Sequence, residues 1–368
     1  MVHHTSSNPS PNGKNSRAYA QAGVDIHLAD TLKGGLKKTL AGASRPEVLG
    51  KVGGFGGLFD LSRTGYREPV LVSSVDGVGT KLKLAFSSGE HEGVGVDIVN
   101  HCINDVAVLG AEPLFFLDYI GMGRLDPGTF QRILSGMSRA CRKAHCALIG
   151  GETAQMPGFY SDGEYDLVGA VVGVVEKKKI LSGKTIRPGD KLIGLASSGL
   201  HTNGYSLASK IFFTKMRYRM DDLLPKSRKS IGRALLEPHL NYATFLNRLF
   251  AEHNRGKSSA FRKENGIFGA VHITGGGFTG NIPRVLPENC NAEIDVSSWK
   301  KPALFELLAG HGGIDFSELY EVFNMGIGMI LMVDPGKAAA VMESARNARM
   351  KPFIIGEVTR GDGAVILR

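Results

Sequence analysis

Strand and helix signals follow one another in mixed order along this sequence, and that order restricts the fold more than any other feature. In the first half, apolar strand patterns are found at 69–76, 113–120, 147–150 and 165–176. Helical periodicity separates them at 97–109 and 129–145. Further strands are expected at 190–197, 270–275, 292–296 and 326–333, again with helices between them. This order predicts an α+β protein rather than an array of repeats.

The length of 368 residues favours two domains, each large enough to bury a core. A basic stretch containing Gly and Pro, KKKILSGKTIRPGD at 177–190, has the composition of a domain junction. We therefore predict a disordered polar tail at 1–16, an N-terminal domain at 17–176, a linker at 177–189 and a C-terminal domain at 190–368.

The net charge of +9 suits anionic ligands such as nucleotides and sugar phosphates, and its sign alone would equally suit nucleic acid. The basic runs at 177–179 and 214–219 are short, however, and the chain has one Trp. We therefore expect no nucleic-acid partner.

Cellular location is predicted from cysteine usage and hydropathy. The four cysteines form no Cys-x-x-Cys pair, which favours reduced thiols and argues against a zinc site at Cys141, His145 and Cys146. Residues 1–16 contain no apolar core of a signal peptide, and no apolar run approaches the ~20 residues that span a bilayer. These features predict a cytoplasmic protein without a membrane partner.

The stretch SSVDGVGTKLKLA at 73–85 places one carboxylate, Asp76, at the end of an apolar strand. Gly77, Gly79, Thr80 and Lys81 follow, but Thr precedes Lys and the first glycine of a Walker loop is missing. Glycines would let the backbone approach a ligand, whereas a turn capped by Asp76 itself is the structural alternative.

Two further acids resemble this arrangement. On the helix at 97–109, Asp97, His101, Asn104 and Asp105 recur at intervals of three and four residues without any Lys. In ALIGGETAQMPGFY (147–160), Glu152 follows a strand and two glycines. Asp76, Asp105 and Glu152 together predict a Mg²⁺ and phosphate site, hence ATP, with a simple exposed helix face as the alternative for the helical stripe.

The second half adds two loops. SSGLHTNGYS (197–206) contains His201, Asn203 and Gly204, and His201 could donate a proton, bind a phosphate or cap the turn. ITGGGFTGNIPRVL (273–286) places a glycine triplet, Gly275, Gly276 and Gly277, before a short helix. Free amides there would favour an anion, and close backbone packing would require the same glycines.

Eight segments in this order resemble the phosphoribosylformylglycinamidine cyclo-ligase (aminoimidazole ribonucleotide synthetase) family, over about 17–368. They are YAQAGVDI, RPEVLGKVGGFGGLFDL, VDGVGTKLKLA, INDVAVLGAEPLFFLDY, GGETAQMPG, YDLVGAVVGVVE, GLHTNGYSLA and ITGGGFTGNIPRVLP.

The resemblance implies a homodimer of two-domain subunits. The mixed N-terminal sheet, with helices on one face, would pair into a shared barrel beside a sandwich-like α/β C-terminal domain. It also implies ATP-dependent closure of formylglycinamidine ribonucleotide to aminoimidazole ribonucleotide, with release of ADP and phosphate, through an iminophosphate.

Residue roles carried over from the resemblance place the acids Asp76, Asp105 and Glu152 near Mg²⁺. Lys81 and Asp105 would serve catalysis together with His201. Lys37 would lie in a segment that closes over ATP, with Lys38 as a rival. Nucleotide or phosphate contacts would come from the two glycine turns and the histidine loop, namely Asp76, Gly77, Gly79, Thr80, Asn203, Gly204, Gly275, Gly276 and Gly277.

The sequence departs from the family pattern at Gln155, where the family often has Glu, and at Leu200, where Pro is common. Related enzymes fit less well. A selenophosphate synthetase would need a reactive Cys near its N-terminus, whereas the first cysteine here is Cys102. Thiamine monophosphate kinase should lack the LHTNGYS and TGGGFTGNIPRVLP segments, and the amidotransferase of the same pathway is several times longer.

Overall fold

The computed structural model describes residues 19–26, 28, 31–32, 41–50 and 54–368. The tail predicted at 1–16, and the lysine candidates Lys37 and Lys38, lie outside these residues.

A four-stranded mixed sheet organises the first half, up to Glu176. Its strands are β3 (Pro69–Gly77), β4 (Glu112–Met122), β5 (Ala147–Gln155) and β6 (Tyr165–Glu176), in the order β3-β6-β4-β5. Pairing is antiparallel except between β4 and β5, which are parallel. Two-residue strands β1 (Val48–Leu49) and β2 (Leu58–Phe59) form a separate antiparallel pair.

Three helices pack on one face of this sheet, namely α1 (Lys81–Ser88), α2 (Glu92–Ala107) and α3 (Pro127–Lys143). Asp126 caps α3 by accepting a hydrogen bond from the amide of Thr129, and Pro127 occupies its first turn. Among the described residues the opposite face remains open, because Leu71 is 57% and Val75 is 67% exposed.

A six-stranded sheet organises the second half, from Asp190. Its order is β12-β9-β11-β7-β10-β8, and only β12 and β9 pair in parallel. The strands are β7 (Lys191–Ala196), β8 (Ile267–His272), β9 (Cys290–Ile294), β10 (Ile327–Val333), β11 (Pro352–Arg360) and β12 (Val365–Leu367).

The second-half helices are α4 (Tyr205–Ser209), α5 (Ile231–Leu235), α6 (Ala243–His253), α7 (Gly277–Asn281), α8 (Ala303–Gly312), α9 (Phe316–Val322) and α10 (Ala338–Asn347). A π-helical turn, Lys210–Lys215, continues α4. One hydrophobic core includes Ile193 and Met329 of this sheet together with α2 and α3 of the first half. The two halves therefore share buried apolar surface.

The α+β prediction, with a mixed first sheet and its helices on one face, is confirmed. Residues 81–88 form a helix that the sequence did not predict. Several predicted boundaries are wrong: α2 begins at Glu92 and not at Asp97, β5 continues five residues beyond 150, and β8 begins three residues before 270.

The basic loop at 255–266 packs against the start of the second half, near Asp190, and holds it in place. Arg262 lies 2.6 Å from the buried carboxylate of Asp190, and its guanidinium carbon lies 3.5 Å from the centre of the Phe268 ring. The same side chain also donates to the carbonyl of Thr185. Within the described residues, no helix combines the length and apolar character needed to cross a membrane.

Candidate functional site

The polar stripe of α2 is an interface between the two halves. Asp97 accepts a hydrogen bond from the amide of His239 at 2.6 Å, and Asn100 donates to the carbonyl of the same residue. Asn104 accepts from the amide of Tyr242 at 2.8 Å and donates to the carbonyl of Leu240. These side chains are buried, so most of the stripe binds protein backbone and not a hydrated cation.

Lys81 lies inside the same interface. Its ammonium is 2.7 Å from Asp97, and both side chains are fully buried. It also donates to the carbonyls of His201 and Glu237, at 3.1 and 2.9 Å. Burial lowers the pKa of Lys81 and raises that of Asp97, and their mutual attraction opposes both shifts. With these three partners in place, Lys81 joins α1 to the second half and is shielded from solvent.

Asp76 is the next-to-last residue of β3 and lies beside α2. Its Oδ2 lies 2.9 Å from Nε2 of His101, and its side chain is 38% exposed. Nδ1 of His101 lies 2.7 Å from the hydroxyl of Thr202 in the second half. Burial lowers the pKa of His101, but the hydrogen bond and charge of Asp76 outweigh burial and leave it raised.

Asp105 joins three elements. Its Oδ1 lies 2.7 Å from Nδ1 of His272 at the end of β8, and its Oδ2 accepts from the hydroxyl of Ser74 on β3. Burial raises the pKa of Asp105, yet His272, His101 and Ser74 together hold it below the usual range. The side chain keeps 29% of its surface exposed.

Four histidine rings meet behind these two carboxylates. His201 stacks on His239 with ring centres 4.0 Å apart, and Nε2 of His239 lies 2.9 Å from Nε2 of His272. The ring centre of His101 is 5.5 Å from that of His272. Burial holds the pKa values of His201 and His239 well below the usual range. His201 also has φ = 63°, a left-handed backbone conformation uncommon outside glycine.

Glu152 is not brought to this cluster. It is paired with Tyr119 in the parallel register of β4 and β5, while the preceding Gly151 is paired with Asp118. A Cβ at Gly151 would lie 2.3 Å from a carboxylate oxygen of Asp118, so those two positions face the helices. Because side chains alternate along a strand, Glu152 points to the opposite face of the sheet.

The glycine turn at 77–80 and the glycine triplet at 275–277 contact different parts of the second half. Thr80, following Gly77 and Gly79, reaches the second half through a 3.0 Å contact with the hydroxyl of Ser206. A Cβ on Gly275 would lie 3.2 Å from the amide oxygen of Asn203, so these two loops adjoin next to Gly204 and Gly276.

Close backbone packing explains one glycine of the triplet. Gly277 has φ = 56°, and a Cβ there would approach the carbonyl oxygen of Tyr320 to 2.0 Å. Only glycine can be accommodated at this position.

The structure thus brings Asp76 and Asp105 together with His201, while Lys81 is buried nearby and Glu152 faces away. Sequence reasoning overlooked two residues, His239 and His272. His272 directly precedes the ITGGG segment, so a polar residue at the end of an apolar strand was the available signal. No signal marked His239, whose position follows from tertiary packing alone.

Comparison with known proteins identifies the family. The model of the AIR synthase related protein N-terminal domain matches residues 64–175, and that of the C-terminal domain matches 187–368. The chain belongs to the AIR synthase related family.

Curated relatives within this family carry one name. The phosphoribosylformylglycinamidine cyclo-ligase of Geobacter sulfurreducens is 48% identical over 348 residues, covering 94% of this chain and 96% of its own. The enzyme of the same name from Trichlorobacter lovleyi is 47% identical over 340 residues, 92% of this chain and 94% of its own.

Solved structures with the same fold are more distant in sequence. Thiamine-monophosphate kinase from Stenotrophomonas maltophilia has a TM-score of 0.65 at 16% identity, covering 90% of this chain and 95% of its own. The hydrogenase maturation protein HypE, solved in complex with ATP, has a TM-score of 0.61 at 16% identity, with coverages of 91% and 90%. These likenesses show the fold alone.

Proposed function

We propose that this chain is a ligase of purine biosynthesis that closes formylglycinamidine ribonucleotide to aminoimidazole ribonucleotide, using ATP and releasing ADP and phosphate. The observation that carries the proposal is 47–48% identity, over more than nine-tenths of both chains, to proteins named for that reaction. The similarity to thiamine-monophosphate kinase is at 16% identity and concerns the fold alone, so it gives no support to a kinase function.

The chemistry requires activation of the formyl oxygen, because an amide oxygen is a poor leaving group. Transfer of the γ-phosphoryl group of ATP to this oxygen gives an iminophosphate and ADP. The amidine nitrogen then attacks the same carbon, and the C–O bond breaks to release phosphate with the oxygen. The protein's task is to orient the reactants and to stabilise developing charge.

Asp76 and Asp105 suit a Mg²⁺ ion, which prefers one or two carboxylates and otherwise keeps water and phosphate oxygens. Both carboxylates are partly exposed, at 38% and 29%, and both are held in place by histidines. Bound Mg²⁺ would neutralise phosphate charge there. Glu152, on the other face of the sheet, stays a separate prediction for metal or phosphate contact.

His101 and His272 are positioning residues in this proposal, because each orients one carboxylate through a ring nitrogen. His201 stays the predicted proton donor or phosphate ligand. Since His201 is fully buried, contact with a substrate would require the loop at 197–206 to move. Lys81 is assigned here to the interface, since its ammonium already has three partners.

The domain roles follow the same scheme. Residues 17–176 would supply the ATP and Mg²⁺ site, 177–189 the linker, and 190–368 the loops that complete the site. Asn203, Gly204 and the triplet Gly275–Gly277 would face the ribose phosphate, which their adjacency supports. Lys37 keeps its predicted role over ATP.

A cytoplasmic homodimer is part of the proposal. The open face of the first sheet carries an apolar patch, in which Val75, Ala170 and Leu117 lie directly opposite one another on adjacent strands. Val75 is 67% and Leu117 is 36% exposed, and an exposed apolar patch of this kind marks an interaction surface. Pairing of two such sheets would cover it.

Diazo coupling of the aminoimidazole product tests the function. The purified chain should form product from formylglycinamidine ribonucleotide only with ATP and Mg²⁺, and should not phosphorylate thiamine monophosphate under the same conditions. Activity on thiamine monophosphate alone would overturn the proposal. Substrate labelled with ¹⁸O at the formyl group tests the iminophosphate, since the label must then appear in inorganic phosphate.

A further inference from the structure

We infer that His201, His239 and His272 form a binding site for a divalent transition metal such as Zn²⁺, adjacent to the proposed Mg²⁺ site and sharing none of its ligands. One ring nitrogen from each residue lies within 4.8 Å of the other two. The three residues are 0%, 1% and 5% exposed. All three belong to the second half of the chain, at the end of β8 and in the loops before α4 and α6.

The surroundings of His272 match those of a metal ligand. Its Nδ1 faces Asp105 at 2.7 Å, which directs Nε2 towards the other histidines. Histidines that bind metal usually donate their second ring nitrogen to a carboxylate or carbonyl, and that partner fixes the tautomer. Asp105 is this outer partner, so it needs no direct bond to the transition metal.

The hydrogen bonds among the rings are incomplete without an additional group. Nε2 of His239 and Nε2 of His272 are 2.9 Å apart, so one proton must lie between two nitrogens that could both bind a metal. Nδ1 of His201 is buried and has no hydrogen-bond partner among the described residues. Nε2 of His201 accepts a 3.3 Å hydrogen bond from the amide of Ser198, so metal binding through Nδ1 moves the ring proton to Nε2 and breaks that long bond. Buried polar atoms are usually paired, and a metal ion bound in this way would satisfy Nδ1 of His201 together with the Nε2 atoms of His239 and His272.

Imidazole donors select the type of ion. Three neutral histidines suit Zn²⁺, Co²⁺, Ni²⁺ or Cu²⁺, whereas Mg²⁺ and Ca²⁺ require oxygen ligands. Three protein ligands also leave a fourth tetrahedral position for water. Zn–N bonds of about 2.0–2.1 Å place two ligand nitrogens about 3.3 Å apart. Binding would therefore separate the Nε2 atoms of His239 and His272, now 2.9 Å apart, by about half an ångström.

A second set of possible ligands, His101, Asp105 and His272, shares the last two residues. That set would take a carboxylate assigned to Mg²⁺ and replace the hydrogen bond that orients His272. The set of three histidines leaves the Asp105 carboxylate free for Mg²⁺ and keeps its hydrogen bond to His272, so the transition metal is assigned to the three histidines.

Cobalt titration of the full chain tests the site, since Co²⁺ in a tetrahedral site absorbs visible light. After long equilibration, because the rings are buried, the metal-free protein should bind one Co²⁺ per chain, and Zn²⁺ should displace it. His239→Gln should weaken Co²⁺ binding by at least about tenfold. Losing a residue that only hydrogen-bonds to a metal ligand already weakens binding by about 10–100-fold, and His239 is a ligand itself. Zn²⁺ should also raise the Tm of the wild type but not that of His239→Gln.

Two controls exclude other histidines. His253→Gln changes a half-buried histidine bonded to Ser344, outside the cluster, and should bind as the wild type does. The double variant His3→Ala/His4→Ala removes an adjacent pair near the start of the sequence and should also bind normally. If His239→Gln fails to fold, His201→Gln replaces it.

Unchanged affinity in a folded cluster variant, loss of binding in the His3/His4 variant, or no binding by the wild type would each overturn the inference. The readouts are metal binding and Tm, so they do not depend on the outcome for the proposed reaction.

Discussion

Nδ1 of His272 lies 2.7 Å from Oδ1 of Asp105, joining the end of β8 in the second half to α2 in the first. A second contact between the halves joins His101, on α2, to Thr202 in the loop before α4. The candidate site is therefore built by the contact between the halves, and neither half has it alone.

The Lys81–Asp97 pair should stabilise that contact. Both side chains are fully buried, so removing one charge leaves the other without compensation. We expect Lys81→Met and Asp97→Asn each to lower the free energy of unfolding by about 3–5 kcal/mol. Urea denaturation followed by circular dichroism measures this change.

Lys226→Met is the matched control, because its pair with Glu306 is exposed, at 82% and 40% of the two side chains. It should change stability by less than about 1 kcal/mol. If Lys81→Met is as stable as Lys226→Met but binds ATP weakly, Lys81 serves the nucleotide, as the family resemblance implies, and not the interface.

The sequence predicted the strands well and the site only in part. Alternating Val and small residues marked β6, and apolar runs marked β3 and β4. Helix α1 was overlooked because Gly79, Thr80 and Lys81 resemble a ligand loop. The histidine cluster could not be predicted, since His101 and His272 are 171 positions apart and meet only through the packing of α2 on β8.

Asp118 should make stability depend on pH. Burial, with the nearby charge of Glu152, raises its pKa from 3.8 to about 7, so the folded state keeps a proton that the unfolded state has lost. Stability should therefore fall as pH rises from about 4 to about 7 and then level off. The full pKa shift corresponds to a loss of about 4 kcal/mol in the free energy of unfolding. Because residue 118 is partly exposed, the actual loss should be smaller than this.

Asp118→Asn removes this ionisation while preserving shape. We expect the free energy of unfolding of Asp118→Asn, relative to that of the wild type, to increase between pH 5 and pH 7. Both free energies are measured across that range. Parallel pH profiles for the two proteins would contradict the assignment.

Arg262 should anchor the basic loop. Its side chain is 17% exposed and pairs with Asp190, which is 1% exposed, so Arg262→Met leaves a buried carboxylate without its partner. A loss of about 3–5 kcal/mol is expected in denaturant unfolding. The exposed neighbour Lys263 provides the comparison, and Lys263→Met should be neutral. Equal stability of the two variants would rule out the anchor.

The open face of the first sheet should mediate dimerisation. Val75→Glu places a charge on this apolar face and should convert a dimer to a monomer in sedimentation velocity. Leu223→Glu changes an equally exposed aliphatic residue, 68% exposed, in the second half and should leave the dimer intact. A wild-type monomer, or a Val75→Glu dimer, would refute this surface.

The most direct test of the central claim is to measure ADP and aminoimidazole ribonucleotide in the same sample, from formylglycinamidine ribonucleotide, ATP and Mg²⁺. Wild type and Asp221→Asn, which changes an exposed carboxylate, should form both products one to one. Asp105→Asn should slow both by about 10²–10³-fold, the range for loss of one group that stabilises the transition state. ADP without the aminoimidazole, or neither product from a folded wild-type chain that binds ATP, would contradict the account.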